Sequence, residues 1–173
     1  MSVYRRFTGH DVPSLITTNI AGHKPLFADP SAANALILAM EHAEAELWVT
    51  VYAYVVMPDH LHLVVAPNEN TTHGDFVRLL KGRFAHRWNR NHGRDGSIWQ
   101  SRFHERALRN ERALLAAIDY VHSNPVAAGL AERPEDYAWS SIREYLPKRA
   151  AQAVRLSRPR GPAAVRVKTA ERG

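Results

Sequence analysis

Two β-prone runs placed back to back constrain this chain more than any other feature. Residues 47–57 read LWVTVYAYVVM and residues 60–66 read HLHLVVA, with only Pro58-Asp59 between them. Proline followed by aspartate is a tight-turn signal, so the pair predicts a hairpin of two long antiparallel strands. Side chains alternate between the faces of a strand. His60 and His62 therefore share one face, while Leu61, Leu63 and Val65 turn to the other and require a covering layer.

The flanking segments supply that layer. Residues 14–20 (SLITTNI) are short and β-branched and predict a first strand. Asp29-Pro30 opens a helix that runs to about residue 46, with Leu36, Ile37, Met40 and Ala43 as its apolar stripe. Thr72 to Asp75 has the spacing of a capping box. The helix it starts extends to about Asn91, with Phe76, Leu79, Leu80, Phe84 and Trp88 on its apolar face. Residues 91–96 read as a loop and residues 98–108 as a fourth strand. Asn110 is a natural N-cap for a last helix bearing Leu114, Leu115, Ile118 and Val121. Pro125 predicts an end or kink near Asn124, because it disfavours helical geometry in the residue before it. The order β-α-β-β-α-β plus a helix predicts an α+β, ferredoxin-like fold: a four-stranded antiparallel sheet with two helices on one face and an added helix. Residues 1–147 form the predicted domain, since Tyr137, Trp139, Ile142, Tyr145 and Leu146 call for burial after the last helix.

Charge divides the chain further. Residues 148–173 carry eight Lys or Arg against Glu171 alone, a net +7, whereas residues 1–147 hold 15 basic and 16 acidic residues, a net −1. Such a tail has little that can pack and is expected to be disordered when free. Within the domain, residues 76–112 hold ten basic residues against three acidic, and residues 1–75 hold three against eight. A localised cationic surface beside an acidic remainder suits a polyanion. Lys81, Arg83, Arg87, Arg90 and Arg94 follow one another along the second helix and its loop, and Arg102 lies just beyond; these six are the candidate nucleic-acid contacts. The chain has no cysteine, which excludes disulfides and thiolate zinc sites. No apolar run of about 18 residues exists and the first residues lack a signal-peptide core, so a cytoplasmic, nucleoid-associated protein with no membrane partner is expected.

Two imidazoles side by side are half of a metal site. A His-x-His triplet is weak by itself, since ten histidines in 173 positions would produce one in roughly half of shuffled chains. Its setting after a Pro turn, inside an apolar strand, strengthens it. Tyr120 and Asn124 stand four residues apart and so share nearly one face of the last helix. Taken alone, each has an ordinary explanation: tyrosines are mostly packing residues, and an asparagine before a proline is common at a helix end. Together with the histidines they have a joint chemistry. A carboxamide oxygen suits Mg²⁺ or Mn²⁺ beside imidazoles. A divalent cation on a phosphodiester offsets the charge that repels nucleophiles, and a phenol can attack phosphorus and store the bond as a phosphotyrosine.

Five segments bear a resemblance as a set: residues 56–64 (VMPDHLHLV), 80–84 (LKGRF), 98–103 (IWQSRF), 120–130 (YVHSNPVAAGL) and 134–141 (PEDYAWSS). In this order the chain resembles the IS200-like tyrosine transposases of the HUH (His-hydrophobic-His) superfamily, and within them the branch associated with repetitive extragenic palindromes (REP). The resemblance implies that His60 and His62 bind the metal, Tyr120 is the nucleophile and Asn124 is the third ligand. It also implies single-stranded DNA bearing a hairpin as substrate, a transposition context, and a monomer or homodimer. Asp59 stands where that family usually has asparagine. Two other readings remain: a replication-initiation or relaxase-type HUH nuclease, and a non-catalytic module of the RNA-recognition kind, which would use Tyr52 and Tyr54 as base-stacking aromatics and give the histidines no role.

Overall fold

A computed structural model describes residues 12–47 and 49–145 of the chain. Four strands make one sheet: β1 (Ser14–Asn19), β2 (Thr50–Val56), β3 (His60–Ala66) and β4 (His104–Ala107), in the order β2-β3-β1-β4. The β1–β3, β1–β4 and β2–β3 pairs are all antiparallel. This is the ferredoxin-like order expected from the sequence. Pairing slips by one residue between Val51 and Ala53, which marks Tyr52 as a bulge.

Helices α1 (Pro30–Leu47) and α2 (His73–His92) cover one face of the sheet. Ile16, Leu61, Leu63 and Val65 from the strands are buried there with Leu36, Met40, Phe76, Leu80 and Phe84 from the helices. Each such side chain contributes about 1.5–3 kcal/mol by leaving water. The capping box at α2 is complete: Thr72 Oγ1 accepts from the Asp75 amide, and the Asp75 carboxylate accepts from the Thr72 amide. Gly93, at φ 57°, ends the helix in the left-handed region.

The third helix, α3 (Glu111–Ala127), packs on β2 and β3. Its buried residues, among them Leu114, Ala117, Ile118 and Val121, stand outside the cluster formed with α1 and α2. By alternation along β3, α3 meets the face that carries His60 and His62. Residues 137–141 then run along the outer edge of β2. The Val56 amide donates to Trp139 O at 2.9 Å and the Ser141 amide to Tyr54 O at 3.1 Å, so this edge is covered. His122, buried on α3, meets Ser141 Oγ at 2.9 Å and ties the helix to that edge.

Two elements differ from expectation. The fourth strand contracts from residues 98–108 to His104–Ala107. Upstream of it Trp99 makes a single bridge to Ile20 and is buried against Phe27 and Phe84, with ring centroids 5.6 Å from each. Side-chain packing and two backbone hydrogen bonds to the end of β1, from the Ala21 amide to Ile98 O at 2.8 Å and from the Gln100 amide to Asn19 O at 2.9 Å, hold this segment without a continuous ladder. The last helix runs on to Ala127 with Pro125 inside it. Proline forfeits its own amide and crowds the carbonyl four residues back, but it sits in the last turn, which continues through Ala128 N to Asn124 O at 3.0 Å. Among the described residues no helix is long and apolar enough to cross a membrane. The basic tail, residues 148–173, lies outside the described residues.

Candidate active site

The site begins at the turn. Pro58-Asp59 returns the chain so that β3 starts at His60, and the register of β3 against β1 sets Asn19 opposite His60 and Thr17 opposite His62. Cross-strand partners on one face are close enough to touch. Thr17 Oγ1 lies 2.7 Å from His62 Nδ1. On the other side, Asp59 Oδ1 lies 2.6 Å from His60 Nδ1. Both imidazoles are thus held at Nδ1, and their Nε2 atoms converge to 3.1 Å. The rings are nearly perpendicular, at 81° with centroids 4.6 Å apart.

Burial tunes the pair. His62 is 7% exposed beneath α3. Burial first, and the neighbouring His60 second, push its pKa down to about 4, against a smaller upward pull from Asp59. His62 is therefore a neutral imidazole at neutral pH, the form that ligates metals. Partial burial of Asp59 works against its charge, but hydrogen bonds from His60 and His23 outweigh that and hold the carboxyl below the usual range.

α3 brings the phenol to this face. The Tyr120 ring lies 5.5 Å from the His62 ring, at 71°. Tyr120 is 48% exposed, so the ring that meets His62 also meets solvent. Asn124 is half-buried one turn further along the same helix.

The donor set fits a divalent cation in part. Two neutral imidazoles with converging Nε2 atoms, each braced at Nδ1 by a carboxylate or a hydroxyl, form the half-site that such ions use. Among the described residues, no group of three or more His, Cys, Asp or Glu side chains that could hold a metal comes together. A cation held there would need further oxygen donors, for which the Asn124 amide, water or a phosphate oxygen has the right chemistry.

The candidate DNA contacts are dispersed. Lys81 is half-buried, with Nζ 2.6 Å from Gln100 O and 5.9 Å from the Trp99 ring centre, and burial lowers its pKa. Arg83 pairs with Glu46 of α1. Arg83 and Arg87 line a groove of about 730 Å³ between α1 and α2, across the sheet from the histidines. Arg90, Arg94 and Arg102 are exposed. Arg94 shares a smaller depression with Lys24, beside the end of β1. Sequence reasoning did not find Thr17. Its only signal is the β1–β3 register, which is not written locally.

A family model described as "Transposase IS200 like" matches residues 21–124, and the chain belongs to that family. It is 31% identical over 91 residues to the REP-associated tyrosine transposase of Escherichia coli K12, and 31% identical over 100 residues to a protein of Haemophilus influenzae given the same name provisionally. These alignments cover 52% of this chain and 52% and 57% of the two relatives, so the chain spans about half the length of the curated relatives it matches. A solved REP-associated tyrosine transposase bound to a REP hairpin shares the fold, with a TM-score of 0.70 at 23% identity, over 99% of this chain and 98% of that one.

Proposed function

We propose that this chain is a metal-dependent transposase that cuts and rejoins single-stranded DNA beside hairpins, with Tyr120 as nucleophile. One observation carries the reading: the Nε2 atoms of His60 and His62 converge at 3.1 Å on the face where Tyr120 stacks edge-on to His62. A bound Mg²⁺ or Mn²⁺ would offset phosphate charge at the scissile bond. The protein's own residues do the rest. Asp59 and Thr17 hold the two imidazoles, and α3 holds the phenol beside them. The Tyr120 Oη–phosphorus bond forms as the bond from phosphorus to the 3′-oxygen breaks. The proton lost by the phenol is balanced by the one gained at the 3′-oxygen. A 5′-phosphotyrosine stores the bond for rejoining. Tyr120 stands beside His62 of its own chain. The expected setting is the cytoplasm, at the nucleoid; the hairpin bound by the structural relative supports the DNA substrate.

The RNA-recognition alternative loses its platform. Tyr54, opposite Leu63, packs against the main core beneath α1 and α2, so it is not offered to bases, and α3 covers the β2–β3 part of the other face. A plain replication nuclease fits the family match less well.

The test uses hairpin oligonucleotides with single-stranded flanks and Mg²⁺ or Mn²⁺. Wild type is expected to form a covalent protein–DNA adduct. Tyr120→Phe, which removes one hydroxyl, should form none while keeping its melting temperature and most hairpin binding. An adduct in the Phe variant would dismiss Tyr120 as the nucleophile, and cleavage undiminished in EDTA would dismiss the metal. Asn124→Ala should require more metal for half-maximal cleavage; an unchanged metal titration would remove Asn124 from the ligands.

A further inference from the structure

The turn at residues 21–24 and the segment at 98–103 have no part in the chemistry above, yet they meet at the metal face. His23 is the one non-glycine residue in the left-handed region among the described residues, at φ 52°, directly after Gly22 at φ 67°. Such backbone is uncommon outside glycine and persists where surrounding contacts enforce it. Here it sets His23 Nδ1 3.0 Å from Asp59 Oδ2. The other ring nitrogen of His23 lies 3.2 Å from the amide nitrogen of Gln100. Gln100 is itself fixed three ways. Its backbone amide donates to Asn19 O at 2.9 Å, its carbonyl accepts from Lys81 Nζ, and its side-chain oxygen accepts from Asn19 at 3.5 Å.

The chemistry of the donors gives this chain of contacts one direction. An amide nitrogen only donates, so His23 Nε2 accepts from Gln100. A neutral His23 then carries its proton on Nδ1 and donates it to Asp59 Oδ2. The Asp59 carboxylate only accepts, so His60 Nδ1 likewise donates to Oδ1 at 2.6 Å. His60 Nε2 is left with a bare lone pair, turned toward His62 Nε2.

We propose that Gln100, His23 and Asp59 form a positioning relay for the metal ligand His60, in which Asp59 clamps His60 in the ligating tautomer and His23, braced by Gln100, clamps Asp59. The relay rests on the metal reading above. It gives the Ile98–Phe103 segment a purpose beyond packing and makes Asp59 more than a turn residue. An asparagine in that place serves one imidazole through its oxygen but turns a donor toward the other, so the carboxylate is what lets both rings donate.

The test is Mn²⁺ binding to the full chain without DNA, followed by calorimetry and by the electron spin resonance of free Mn²⁺, with histidine ¹⁵N spectra taken alongside. Asp59→Ala should weaken Mn²⁺ binding about 10–100-fold, the usual effect of losing a partner behind a ligand. Its melting temperature should hold, and the ¹⁵N spectrum should show His60 losing its fixed Nδ1–H form. His23→Ala, at an exposed ring one contact further from the metal ligand, should weaken binding by a smaller factor than Asp59→Ala does. Adding His23→Ala to Asp59→Ala should weaken it no further, because both act through one contact. Wild-type affinity in a folded Asp59→Ala variant, an unchanged His60 ¹⁵N pattern, or additive losses in the double variant would each overturn the relay. Failure of the metal reading looks different: wild type would then bind Mn²⁺ no better than His60→Ala, and the ¹⁵N pattern of His60 would still decide whether Asp59 holds the ring.

Discussion

His62 occupies a position where its charge is costly. It lies under α3, beside His60, and its pKa falls from 6.5 to about 4. In the unfolded chain the same imidazole protonates near 6.5. Between those values the unfolded state binds the extra proton and the folded state does not, so stability rises with pH across that window. The contribution is complete above pH 6.5 and disappears as pH falls toward 4, an effect of about 3 kcal/mol from this one group. Urea unfolding in the presence of a chelator should therefore show a midpoint that drops steeply from pH 6.5 to 4. His62→Gln should flatten that limb, and an equally steep limb in the variant would place the titration elsewhere. The same burial that makes His62 sensitive to acid keeps it neutral and able to ligate at pH 7.

At the scale of elements, α3 decides whether there is a site at all, because it carries Tyr120 to the histidine face. Its start is fixed by Asn110, whose Oδ1 accepts from the Ala113 amide at 2.9 Å. Asn110→Ala should lower unfolding free energy by about 1 kcal/mol, read as a lower denaturant midpoint with unchanged slope. Adduct formation by the folded protein should persist, since Tyr120 lies nearly three turns beyond the cap; a loss of adduct at full folding would show that the cap sets the phenol's position. This helix and α2 were legible because apolar spacing and capping residues are local signals. The hairpin and its paired histidines were legible for a similar reason, a period of two around a Pro turn. The strand expected over 98–108 is only partly formed: residues 98–100 pair briefly with the end of β1 before the regular strand at His104, and the side chains of Ile98, Trp99 and Phe103 go to the core, which local pattern does not reveal. The extent of α3 was misread because the local penalty of Pro125 is outweighed once the helix is packed on the sheet. Thr17, His23 and Gln100 were not legible as site residues, since their roles arise from register and from a turn, across 45 and 77 positions of chain.

Across the whole molecule, charge and chemistry are separated. The histidines face α3, which carries Tyr120, while Arg83 and Arg87 line the groove on the opposite face and Arg83 is already paired with Glu46. Residues 1–147 have a net charge of −1, and the +7 of residues 148–173 is the largest block of positive charge in the chain. Attraction for DNA should therefore depend on the tail more than cleavage chemistry does. Each phosphate neutralised adds about 0.9 to the slope of log affinity against log salt on duplex DNA and about 0.7 on single strands. If roughly half of the tail's cations meet phosphates, removing residues 148–173 should flatten that slope by about two to four units, with the greatest loss of affinity at low salt. Adduct formation at saturating DNA should remain, because no residue of the assembled site is removed. An unchanged salt slope would show that the tail does not meet phosphates and would return the attraction to Arg90, Arg94 and Arg102. A fall in melting temperature on truncation would contradict the prediction in another way, since residues that act through charge alone should leave the core's stability as it was.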